Sequence, residues 1–156
     1  MKRFLIILLT LAALLAACER APRDVDIEAL GNTVVGALDD GTVLTLADDD
    51  FAEVNLTCDD ELDACRIYLG ETGEVGVLRL CEDGNAATVE AAVKKYLESE
   101  IRSTTSLLEL YPSEVLEERL AHYQNATVIH RGRYVCYFAL PREENEKAKN
   151  ALLEAM

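Results

Sequence analysis

The chain has 156 residues, 15 basic against 29 acidic side chains and a formal charge of −14. That length suits one compact domain with its own core. Such an acidic field repels phosphate backbones and anionic lipid surfaces, so composition argues against nucleic-acid binding and against electrostatic adhesion to membranes.

The first predicted element is an address. Lys2 and Arg3 precede an uncharged run from Phe4 to Leu15, and Leu15-Ala16-Ala17-Cys18 follows. A basic start, a short apolar stretch and small residues before the break form a secretory signal too short to span a bilayer. Leu-Ala-Ala-Cys resembles the lipobox of bacterial lipoproteins, in which signal peptidase cuts just before a cysteine carrying diacylglycerol on its sulfur. The resemblance implies a signal peptide over 1–17, lipidation at Cys18 and a tether over 18–24. A single α+β domain over 25–156 follows, on the outer side of the cell membrane, or at an outer membrane if the host has two. Loss of Lys2 and Arg3 moves the charge to −16, and two acyl chains hold a protein firmly where one does not.

From Val25, the apolar positions Ile27, Leu30, Val34 and Leu38 predict a helix stopped by Asp39-Asp40-Gly41. Thr42–Leu46 has β-forming character, and Asp48-Asp49-Asp50 caps a short helix bearing Phe51 and Val54. Arg66–Leu69 and Val75–Leu80 read as an antiparallel hairpin around Glu71-Thr72-Gly73. After Asp83-Gly84-Asn85 the longest helix places Val89, Val93, Tyr96, Leu97, Ile101, Leu107 and Leu108 on its inner side. Tyr111-Pro112-Ser113 breaks it and starts a second helix, Glu114–His122. Ala126–Ile129 and Tyr134–Leu140 form another hairpin about Arg131-Gly132. A closing helix over Glu143–Met156 turns Ala148, Ala151, Leu152 and Ala155 inward, with acids in its first turn. This order predicts a four-stranded, mostly antiparallel sheet, strand order 1-2-4-3, with helices on one face: a permuted ferredoxin-like topology preceded by an N-terminal helix.

On this element order the C-terminal half resembles a family of uncharacterised bacterial lipoproteins, catalogued as domain of unknown function 4358. The likeness rests on a strand pair followed by a long charged helix ending at Leu110, on Tyr111-Pro112-Ser113-Glu114, on the run from Asn125 to Val135 and on the acidic, alanine-rich closing helix. It covers roughly 25–156 and implies no functional residue beyond the lipidated cysteine.

Outside the cytoplasm Cys58, Cys65, Cys81 and Cys136 can oxidise in three connectivities. The expected pairs are Cys58 with Cys65, a local loop absent from the family pattern, and Cys81 with Cys136 on neighbouring strands; the alternative is four buried thiols. No Cys-x-x-Cys spacing supports zinc or thioredoxin-like redox chemistry.

Acidic runs at 39–40, 48–50, 59–63 and 82–83 lack the ligand spacing of a calcium loop and read as caps and turns. His122 and His130 have no partner at zinc-ligand spacing. Ser103 or Ser106 with His122 lacks a nucleophile elbow. No phosphate loop or dinucleotide fingerprint is present. Neither a cofactor nor a metal is therefore expected. The one basic group, His130, Arg131 and Arg133 with Arg142 nearby, is a candidate for receiving a carboxylate, a phosphate or an acidic partner. Its alternative is a glycine turn whose arginines pair with neighbouring acids. The sequence thus points to a non-enzymatic, lipid-anchored binding or scaffolding module with a protein partner at the surface. A small-ligand or anion receptor built on Arg131 and Arg133 is the second reading.

Overall fold

The computed structural model describes residues 24–156, so the signal segment, Cys18 and most of the tether lie outside the described residues. Elements follow in the order α1 (Ile27–Gly36), β1 (Thr45–Leu46), α2 (Phe51–Asn55), a 3₁₀ turn (Asp59–Glu61), β2 (Leu62–Leu69), β3 (Glu74–Leu80), α3 (Ala86–Leu110), α4 (Glu114–Gln124), β4 (Thr127–Arg131), β5 (Tyr134–Ala139) and α5 (Arg142–Ala155).

Side-chain caps fix the starts of α1 and α3. Asp26 accepts the Ala29 amide at 2.9 Å, and Asn85 accepts those of Ala87 and Thr88 at 2.9 and 3.3 Å, each satisfying donors that a first turn leaves orphaned. Gly132 adopts φ 58° and closes the β4–β5 hairpin, a conformation that favours glycine.

The sheet is antiparallel throughout, in the order β1-β2-β3-β5-β4. The four anticipated strands keep their neighbours, but count and order differ from the expectation because β1 adds a fifth at the edge. Thr45 and Leu46 pair with Leu69 and Tyr68, a run too brief for its alternation to read as a strand.

Placing all helices on one face is corrected. Tyr134–Ala139 is buried at every position, as a strand covered on both faces must be. Tyr134, Cys136 and Phe138 pack with Val75, Val77, α1 and α5. Val135, Tyr137 and Ala139 pack with Leu78, Leu80, α2, α3 and Tyr123 of α4. The molecule is therefore a helix–sheet–helix sandwich around β3 and β5, and the ferredoxin-like description does not fit it. β2 also begins earlier than its sequence suggests, because a bulge between Leu62 and Ala64 breaks the alternation, leaving Asp63 as the extra residue.

The 25 residues of α3 span about 37 Å, whereas the seven of β3 span about 23 Å. The helix starts beside the β4–β5 turn, where Leu80 N–H donates to Arg133 O, and reaches the opposite end of the sheet by Tyr96, which bonds Glu74 at the start of β3. From Glu98 onward only Thr104 of α3 is buried. That half of the helix pairs with α4, which returns to the sheet end at His122 and Tyr123. The two form a helical arm projecting past the sheet.

Candidate functional site

The base of this arm holds a buried carboxyl. Glu74 follows the Gly70–Gly73 turn, points to the α3 side of the sheet and is 1% exposed. Its Oε2 accepts from Tyr96 of α3 at 2.8 Å and from Tyr123 of α4 at 2.5 Å. Tyr137 of β5 borders the same carboxyl; its hydroxyl and Glu74 Oε1 have no hydrogen-bond partner among the described residues. Gly76, opposite Tyr137 in register, makes this approach possible, since a Cβ there would meet the tyrosine ring at 2.0 Å.

Burial raises the Glu74 pKa above the ordinary carboxylate range, against a smaller opposing effect of the tyrosine hydroxyls. Burial, then the neighbouring carboxyl, raises the three tyrosines. Beside this cage the Arg119 guanidinium lies 5.4 Å from the Tyr123 ring centre and pairs with Glu100 at 2.9 Å. His122 Nδ1–H donates to Thr72 O at 2.9 Å. The cage ties α3, α4, β3 and β5 together where the arm leaves the sheet. Sealed from solvent, its carboxyl acts as a clamp. Sequence reading missed Glu74; the available signal was a lone acid opening a strand whose next four residues, Val75–Leu78, are uncharged.

The basic residues do not converge. His130 is exposed, donates through Nε2 to Gly132 O at 2.9 Å and places Nδ1 3.8 Å from Glu90. Arg131, next along the strand, points to the opposite face, its Nε buried without a partner among the described residues. Arg133 donates to Asp63 at 3.0 Å and to Leu80 O at 2.7 Å, and lies 3.7 Å from Asp24. Its guanidinium thus stitches the hairpin to β2, β3 and the chain entry. Arg142 begins α5 at the other end of β5.

Cys58, Cys65, Cys81 and Cys136 are all free thiols in the structure. Cys136 stands opposite Val77, so Cys81 lies four residues farther along, about 13 Å away and outside disulfide reach. Cys65 sits within β2 and packs with Cys58 against one apolar cluster. Burial raises the Cys136 thiol to about 12, and burial with the charges of Asp59 and Glu61 raises Cys58 to about 11.

Three acids of these runs serve structure, while Asp50 at the start of α2 makes no side-chain cap hydrogen bond. Asp39 pairs with Lys147 at 2.7 Å, Glu61 accepts the Asn85 amide at 2.6 Å, and Asp63 binds Arg79 at 2.8 Å. Among the described residues no group of three or more His, Cys, Asp or Glu side chains is placed to hold a metal ion, and no helix is long and apolar enough to cross a membrane. Ser103 and Ser106 are exposed on α3, while His122 is held by the Thr72 carbonyl.

A surface concavity of about 410 Å³ lies beside β1 and α2, its lining including Asp48, Phe51, Val54 and Leu69, and two others flank the sheet. One, of about 400 Å³, follows the outer edge of β2 and is lined by Asp49, Ala52, Glu53, Asp59 and residues 62–66. The other, of about 350 Å³, separates the arm from the sheet end, with Val115, Glu118 and His122 facing Val43, Thr72 and Leu140. No protein-family model, curated protein or solved structure matches the chain.

Proposed function

We propose that this chain is a lipid-anchored, extracytoplasmic bacterial binding module that acts without catalysis. The observation that carries the proposal is the basic, apolar and small-residue progression ending at Cys18. Kinship with the domain of unknown function 4358 lipoproteins belongs to the same proposal.

The chain entry supports it. Val25 N–H donates to the Tyr134 hydroxyl at 3.0 Å, and that hydroxyl also bonds Asp24 Oδ1 at 2.9 Å and Val25 O. The domain is thereby fastened at its hairpin end, and the six residues from Cys18 reach at most about 20 Å. The arm projects from the other end, with Leu107, Leu110, Tyr111 and Val115 at or near its tip exposed. Anchored at one end, the domain presents an apolar tip at the other, an arrangement suited to meeting a protein partner. The absence of catalysis rests on the engagement of the candidate groups: Arg133 by Asp63 and Leu80 O, His122 by Thr72 O, and Glu74 by its burial.

Mass spectrometry of native protein tests the anchor. The expected result is a chain beginning at Cys18 with diacylglycerol mass, lost in Cys18→Ser; an intact amino terminus overturns the proposal. Hydrolysis of peptides, esters or glycans by the purified domain, abolished by one polar substitution, overturns the non-catalytic assignment.

A further inference from the structure

We infer that the outer edge of β2 takes up an extended, lysine- or arginine-bearing peptide segment as an added strand. The inference deepens the binding-module reading, and rests on it, by naming a surface and the chemistry of its occupant.

The backbone carries the argument. Gly70 N–H donates to Gly73 O at the turn, and Ala47 N–H donates to Ile67 O across the β1 side. Antiparallel alternation then turns both main-chain groups of Ile67, and again of Cys65, toward the outer edge. β1 ends at Leu46, and the chain turns away at Asp48, whose carbonyl accepts the Phe51 amide. The edge from Leu62 to Arg66 has no neighbouring strand among the described residues, and Cys65 C=O accepts only the adjacent Arg66 guanidinium, at 3.0 Å. Unpaired strand groups are a template for another strand.

The surroundings select the occupant. The edge forms the floor of the concavity of about 400 Å³, walled by α2 and the 3₁₀ turn. Its length of about 13 Å accommodates about four extended residues. Asp49, Glu53 and Asp59 are exposed on its walls; Asp63 is already bound by Arg79 and Arg133. Such a rim favours a cationic segment and opposes a second copy of a chain with net charge −14. Arg66 occupies the Cys65 carbonyl and places a cation in the groove, so an incoming strand must displace it.

The test titrates the domain with a fluorescent, end-capped peptide alternating lysine and valine. A second peptide carries N-methyl groups on alternate backbone amides, and a third has glutamate for lysine. Saturable binding of the first is expected, about tenfold weaker after N-methylation through loss of edge hydrogen bonds, with no binding of the third. Asp49→Lys with Glu53→Lys, both on exposed positions, should weaken the lysine peptide by a similar factor, and Arg66→Ala should tighten it. No binding of the lysine peptide, or equal binding of the N-methylated one, overturns the inference. In parallel, crosslinking of the lipidated chain in its native membrane, with and without the charge reversals, separates the two proposals. A partner that stays crosslinked to the reversed variant, when the peptide does not bind, sinks the groove and leaves the binding module standing. The absence of any crosslinked partner counts against the module itself.

Discussion

The two halves of α3 share one helical period and meet different fates. Val89, Val93, Tyr96 and Leu97 are buried against the sheet, whereas beyond Glu98 the same stripe continues through Ile101, Leu107 and Leu108 with Leu107 45% exposed. Periodicity decides which face of a helix is apolar; whether that face is covered depends on how far the neighbouring strands extend. Here they end at Glu74 and Ala139, and α4 alone accompanies the remaining turns.

The contrast is tested most strongly by truncation. Leu97→Ala, at a position 6% exposed, should cost about 2–5 kcal/mol, whereas Leu110→Ala, at a position 71% exposed, should stay within about 0.5 kcal/mol. Urea midpoints at unchanged slope measure both. Equal costs would mean that the arm is packed as tightly as the body.

Glu74 sharpens the comparison at the junction. Burial raises its folded-state pKa above 4.5, so the native state binds the proton more tightly than the unfolded chain does. The stability this provides is complete below the unfolded value and is lost as pH rises through the folded one. Glu74→Gln keeps an acceptor for Tyr96 and Tyr123 and removes the charge. It should raise the Tm at neutral pH and flatten the decline on going from acid to neutral, a result followed by thermal melts across pH; an unchanged profile would show that another group sets the dependence.

A small effect is expected along the arm. Arg119→Ala removes the Glu100 pair and the cation over Tyr123, and should cost about 1 kcal/mol or less at this half-exposed site. Loss of amide-exchange protection should be confined to α4 and the second half of α3. Protection lost across β3 and β5 as well would make arm and body one cooperative unit.

Much of the fold was legible because Ile27, Leu30 and Val34, or Val89 and Val93, obey periods that packing later honours. The alternation-free run Tyr134–Ala139 also carried the signature of a strand buried on both faces, and sheet order alone did not reveal what lay on the second. β1 was legible only as β-forming character over Thr42–Leu46 and not as a strand of the sheet, because two residues have no period, and the start of β2 was missed because the bulge at Asp63 shifts the alternation. The site was less legible. A carboxyl clamped by tyrosines from two helices has no spacing in sequence, and the hairpin arginines, which did attract notice, are divided between faces or engaged by Asp63 and Leu80 O.

The clasp between Tyr134 and Asp24–Val25 has a mechanical corollary. Tension along the leading segment enters at β5, a strand hydrogen-bonded on both sides to β3 and β4. Under the proposed lipid anchor, a pull on that segment loads the middle of the sheet in place of peeling away a rim.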